Sequence, residues 1–166
     1  MPFATGDTLS NSDTNNFLRG LRRDNTTYTV TGTLTETDMA SFAMSGGTMD
    51  TAGAIWVFAA GTITNSGGGQ KDVRLYFGGT AIGTVTRTGA NAQDWSLIAK
   101  ISNTATNAQR IEVWYITTDA LTVSFDYTTL AIDTTASVTV KVTGDLANTA
   151  DTITQTKFEI FVVQIA

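Results

Sequence analysis

The chain has 166 residues, a formal net charge of −5, and neither histidine nor cysteine. Those two absences exclude a histidine general base, a thiolate nucleophile, disulfides and the usual zinc ligands. Only 15% of the residues are charged, against about 25% in an average domain, and threonine, whose stiff β-branched side chain suits a pleated sheet, supplies about a fifth of the chain.

This length fits one domain with a short arm, and it buries enough surface to fold without metal or disulfide. An acidic chain is repelled by phosphate backbones, so nucleic acid is not an expected partner. No apolar run of about 18 residues is present, so no membrane-spanning helix is expected, and no membrane partner. The start, Met1-Pro2-Phe3-Ala4-Thr5-Gly6, lacks the basic and apolar regions of a secretion signal, so synthesis in the host cytoplasm and use without export by that route are expected.

Residues 1–25 read as an arm. Ser10 to Asn16 is polar and unpatterned, and Phe17-Leu18-Arg19-Gly20-Leu21-Arg22-Arg23-Asp24 follows with three of the chain's six arginines. Phe17, Leu18 and Leu21 with Arg19, Arg22 and Arg23 form a basic, apolar tether ahead of an acidic body. Such a segment suits docking on a partner, its apolar residues in a groove and its guanidinium forks on carboxylates.

From residue 26 to residue 166 the period is two. Thr27, Thr29, Thr31 and Thr33 alternate with Tyr28, Val30 and Leu34; this predicts a strand with a threonine ladder on one face and apolar residues on the other. Met39–Met44 is a weaker strand. Gly53–Ile63 is a continuous apolar run, short and glycine-bounded, as in a strand covered on both faces. Asp72–Phe77 leads through Gly78-Gly79 into Ala81–Thr88, a hairpin with a glycine turn. Trp95–Ser102, Arg110–Thr117, Leu121–Tyr127, Ala136–Thr143 and Lys157–Ile165 complete nine or ten strands by this reading. Turns are expected at Ser45-Gly46-Gly47, Asn65 to Gly69, Gly89-Ala90-Asn91, Asn103 to Asn107 and Gly144-Asp145.

Catalytic patterns are sparse. Gly67-Gly68-Gly69 leads into Gln70-Lys71 and a strand, so it lacks the helix behind it that a phosphate loop needs. The carboxylate pairs Glu36 with Asp38 and Asp145 with Asp151 read as turn acids in solvent, without the apolar pocket that raises a catalytic pKa. No enzyme activity, cofactor or metal is expected. Trp56, Trp95, Trp114 and Tyr115 lie in strongly apolar segments and are expected in the core, with Tyr76 outside it.

Four stretches resemble small jelly-roll virion proteins of tailed phages, the class that includes head decoration (cement) proteins and head- or tail-fibre tips. They are Gln70 to Thr80 (QKDVRLYFGGT), Asn91 to Leu97 (NAQDWSL), Asn107 to Trp114 (NAQRIEVW) and Ala150 to Ile160 (ADTITQTKFEI). The resemblance implies an all-β, single antiparallel β-sandwich of the TNF-like or viral jelly-roll kind, with a short extended N-terminal arm. It further implies a non-catalytic virion protein on the capsid surface that associates with itself, as a homotrimer, and with the major capsid protein. On this reading the protein is a cement protein that stabilises the head shell. A receptor- or glycan-binding fibre tip, and a jelly-roll coat protein of a small virus, are the alternatives.

Overall fold

A computed structural model describes residues 18–64, 66, 69–89, 91–118 and 122–163. Every regular element among them is a strand: β1 (Leu18–Asp24), β2 (Tyr28–Thr31), β3 (Thr37–Met44), β4 (Ala54–Thr64), β5 (Lys71–Phe77), β6 (Thr80–Arg87), β7 (Gln93–Ala105), β8 (Ala108–Thr117), β9 (Thr122–Leu130), β10 (Val138–Leu146) and β11 (Thr152–Val163). All pairs are antiparallel.

The strands form two sheets. The larger has seven strands in the order β1-β11-β4-β7-β8-β9, with β2 continuing the line of β1 along β11; the smaller has four, β3-β10-β5-β6. The chain changes sheet at every connection except β1–β2, β5–β6 and the β7–β8–β9 meander. The quartet β2-β11-β4-β7 thus faces β3-β10-β5-β6 in the connectivity of a jelly roll, with β1 added at one margin and β8 and β9 at the other. The expected antiparallel β-sandwich is the fold.

Alternation explains the layering. Ile55 and Val57 of β4, Leu97, Ala99 and Ile101 of β7, Ile111 and Val113 of β8, and Ile160 and Val162 of β11 are buried. They meet Val73, Leu75 and Phe77 of β5 and Val138, Val140 and Val142 of β10 in one core. At one end, Gln109 closes the sandwich. Its amide nitrogen donates to Asn103 Oδ1 (3.1 Å) and to the Ile132 carbonyl (3.0 Å), and its oxygen accepts the Ile132 N–H (2.9 Å).

Several sequence expectations need correction. Gly78 and Gly79 do make the β5–β6 turn, with φ of +58° and +82°, as a two-residue hairpin of this hand requires. Gly144, expected in a turn, lies within β10. A Cβ there would come 3.1 Å from Val30 Cγ2 and 3.3 Å from Ile153 Cδ1, so this glycine lets the sheets approach. The strand expected to continue to Leu34 stops at Thr31, because Gly32 takes φ of +70° and turns the chain; Leu34 is 60% exposed instead of facing the core. Asn103 and Thr104 extend β7, leaving Thr106-Asn107 as the turn into β8.

The stretch expected as the end of an arm is itself a strand. β1 pairs with β11 from Leu18 opposite Val163 to Asp24 opposite Phe158. The break between β1 and β2 is held by the Asp24 carboxylate, which accepts from the Thr26 N–H (2.9 Å), Tyr28 Oη (3.1 Å) and Arg22 Nη2 (2.6 Å). Residues 1–17, and with them Phe17, lie outside the described residues.

Candidate functional site

Among the described residues no layer covers the side of the larger sheet turned away from the smaller one. Register places its residues in rows running across six strands. One row reads Arg23, Glu159, Phe58, Ile98, Trp114, Phe125, from β1 through β11, β4, β7 and β8 to β9. The next reads Phe161, Trp56, Lys100, Glu112, Tyr127. Aromatic rings occupy both rows, on four of the six strands.

The rings touch one another. Trp56 stacks on Trp114, with centroids 5.7 Å apart and planes inclined 14°, and on Phe58 at 6.2 Å and 17°. Phe161 meets Phe58 edge-on at 5.9 Å, and Phe125 meets Trp114 at 5.4 Å. Trp56, Phe58, Trp114 and Phe161 are half-buried by this mutual contact, while Phe125 and Tyr127 remain 51% and 56% exposed. Lys100 lies 6.0 Å over the Trp56 ring and 3.5 Å from the Glu112 carboxylate, so its ammonium is held against the aromatic face.

This divides the aromatic set that sequence assigned to the core. Trp95 and Tyr115 are core residues, 2% and 6% exposed. Trp56 and Trp114 are on the outer face, and Tyr76 is on the outer face of the smaller sheet. For Trp114 the signal was available: it shares strand parity with Arg110 and Glu112, which mark the solvent side. For Trp56 it was not, because both faces of Gly53–Ile63 are apolar and only register with Lys100 shows which side is out.

The basic segment borders the same face. Arg23 is exposed and pairs with Glu159 at 3.2 Å; Gly20 lies opposite Phe161. Arg19 and Arg22 are exposed, and Arg22 pairs with Asp24 at 2.6 Å. Leu21 is half-buried and packs against the core. Of Leu18 the backbone pairing alone is described.

The carboxylate candidates fall in two places. Arg74 gathers three acids on the outer face of the smaller sheet: Glu36 at 3.0 Å, Asp145 at 2.9 Å and Asp72 at 2.5 Å. Burial works against ionising Glu36, but the hydroxyls of Thr143 and Tyr76, with Arg74, outweigh it and hold the carboxyl below its ordinary value. A guanidinium fills the centre of this cluster, and Asp38 pairs with Lys141 at 2.7 Å. Among the described residues no group of three or more acids, histidines or cysteines is placed to hold a metal.

Asp151 is not a turn acid in solvent. It and Lys71 are fully buried, with Nζ 3.4 Å from Oδ2, and Ser66 donates its N–H and hydroxyl to Oδ1 at 2.9 and 3.2 Å. Burial raises the Asp151 pKa, and the Ser66 N–H and Lys71 more than reverse that, so it stays ionised below the usual range. The pair, with Ser66, ties the start of β5 to Asp151 just ahead of β11. It is a structural clamp.

No protein-family profile matches the chain, and no curated protein does. Solved structures with a similar course include lectin II from Ulex europaeus, 9% identical over 88% of this chain and 92% of that one, with a TM-score of 0.43. Arcelin-5, a lectin-like defence protein from Phaseolus vulgaris, is 9% identical over 90% and 92%, at 0.44. The CBM2 module of the evolved Dit of Lactobacillus casei BL23 phage J-1 is 10% identical over 76% and 69%, at 0.41.

Proposed function

We propose that this chain is a non-enzymatic structural protein of a phage-type virion that decorates the head shell, docking through the outer face of its seven-stranded sheet. The observation that carries the proposal is the contiguous ring cluster Phe161, Phe58, Trp56, Trp114 and Phe125 on a sheet face that no layer covers among the described residues. Aromatic residues and arginine supply most of the energy at protein interfaces, and Arg23 stands at the margin of this cluster. Covering such a face recovers apolar area at about 25 cal/mol per Å². A protein that binds only the assembled shell stabilises it by mass action.

The test is co-sedimentation of the purified chain with assembled shells. Wild type should pellet with them, and the Trp56→Ser/Trp114→Ser double variant should remain in the supernatant while keeping its β-sheet circular dichroism. Equal pelleting by both proteins would remove the aromatic face from the account.

A glycan-binding reading has one observation in its favour: the Lys100–Glu112 pair sets hydrogen-bonding groups beside the Trp56 ring. Binding of the isolated protein to a glycan array, lost in the same double variant, would select that reading over shell decoration.

A further inference from the structure

Among the described residues the two sheets have four margins, and three of them carry the same device. On β1 the extra residue Leu21 forms a bulge, since Gly20 and Arg22 lie opposite the consecutive Phe161 and Ile160. On β3 it is Met39, between Ala40 and Asp38, which oppose Val142 and Thr143. On β6 it is Ile82, between Gly83 and Ala81, which oppose Leu75 and Tyr76. Each bulge sits on the edge strand itself, where it bends the unpaired backbone away from any incoming strand.

The fourth edge, β9, has no such protection among the described residues. It runs in unbroken register against β8 from Gln109 opposite Leu130 to Thr117 opposite Thr122. It contains no proline and a single charge, Asp126. It also lies beyond the smaller sheet, whose margin β6 reaches β7 and β8, so residues 124–129 are exposed on both faces. A long, regular, nearly uncharged edge is a template for strand addition.

We infer that β9 is a self-association edge, pairing antiparallel with β9 of a second copy about a two-fold axis normal to the sheet and passing beside Phe125. The occupant follows from closure and from complementarity. Among the described residues the other three margins are bulged, and the unbulged part of the β1 margin is the four-residue β2, so an isologous contact consumes the one long regular edge of each copy, and assembly stops at two. An axis at Phe125 sets the inner-face Ser124 of each copy opposite Asp126 of the other. The hydroxyl donates to a carboxylate that already accepts from Tyr115 Oη and has lone pairs to spare. An axis beside Asp126 would instead oppose two carboxylates. On the outer face the same axis brings the two Phe125 rings together, and the aromatic faces of both copies become one surface on one side of a continuous sheet. This contact is two-fold, in place of the three-fold implied by the family resemblance, and it stands whether or not the aromatic face docks on a shell.

The test is sedimentation equilibrium of the full chain and two variants at the exposed Ser124. Wild type should be dimeric. Ser124→Asp opposes like charges twice and should weaken the dimer about tenfold or more, with an unchanged melting temperature for the monomer. Ser124→Lys opposes Asp126 with an ammonium and should keep or tighten the dimer. A wild type that stays monomeric up to its solubility limit, a wild-type trimer, or a dimer indifferent to both substitutions would each overturn the inference.

Discussion

Trp56 and Trp114 stack with 5.7 Å between ring centroids although their strands are not neighbours. β7 lies between β4 and β8, so the two backbones are about 9–10 Å apart, and both indoles lean over Lys100 and Ile98 to meet. The contact therefore reports on the register of three strands together. A double-mutant cycle with Trp56→Ala and Trp114→Ala, read by urea denaturation, should give a coupling of about 0.5–1.5 kcal/mol. Additive losses would mean that the rings do not stack in solution.

The buried Lys71–Asp151 pair should behave as a clamp whose halves need each other. Lys71→Met alone leaves a carboxylate at 0% exposure without its cation and should cost about 3–5 kcal/mol in denaturant unfolding. The double variant Lys71→Met/Asp151→Leu removes both charges and should recover most of that loss. Equal destabilisation by the single and double variants would show that Ser66, and not the charge pair, holds this corner.

Acid stability follows from the depressed carboxyls, Asp24 and Asp151 with Glu36 and Asp133. The Thr26 N–H and hydroxyl, then Arg22, hold Asp24 far below the usual range; Asp151 is held below its ordinary value of 3.8 as described. A depressed folded-state pKa contributes stability that is complete above the unfolded value and is lost as pH falls through the folded one. The melting temperature should thus be level near neutrality and drop once pH falls below about 4. Asp24→Asn should flatten part of that drop.

At the alkaline end two phenols are held up, Tyr76 by its hydrogen bond to Glu36 and Tyr115 further. Burial, then its hydrogen bond to Asp126, push its phenol up to about 12 from 10.0. A raised folded-state pKa contributes stability that is full below the unfolded value and disappears as pH rises through the folded one. Spectrophotometric titration should show one tyrosine that ionises about two units late, and stability should decline above pH 10.0, less so in Tyr115→Phe.

Gln109 tests the polar seam at the end of the sandwich. It is 1% exposed, and its three hydrogen bonds hold Asn103 and both backbone groups of Ile132. Gln109→Leu strands those groups and should cost about 1–3 kcal/mol for each one left unpaired. Hydrogen exchange should rise first at residues 131–137.

Much of this architecture was legible in the chain. Leu121–Tyr127 and Ala136–Thr143 alternate without a break, and the structure has strands over Thr122–Leu130 and Val138–Leu146; the Gly78-Gly79 turn followed from the positive φ that such hairpins need. What was hidden has physical causes. The bulge at Leu21 breaks period two within Leu18–Asp24, so a strand looked like an arm. Gly144 carries the residue type of a turn but serves close packing against Val30. Asp151 became a buried acid only because Lys71, distant in sequence, folds against it. The aromatic face was obscured because Ala54 to Ile63 is apolar on both sides, and the alternation that names a solvent side is missing there. The edge inventory was out of reach altogether, since a bulge is a property of two paired strands.

Hydroxyl-radical footprinting of the protein, free and bound to its native particle, tests the central claim most directly. If the outer face of the large sheet is the docking surface, oxidation of Trp56, Trp114 and Phe161 should fall sharply on binding, while Tyr76 on the opposite sheet reacts as before. Protection of Tyr76, with the three outer-face rings unchanged, would contradict the account.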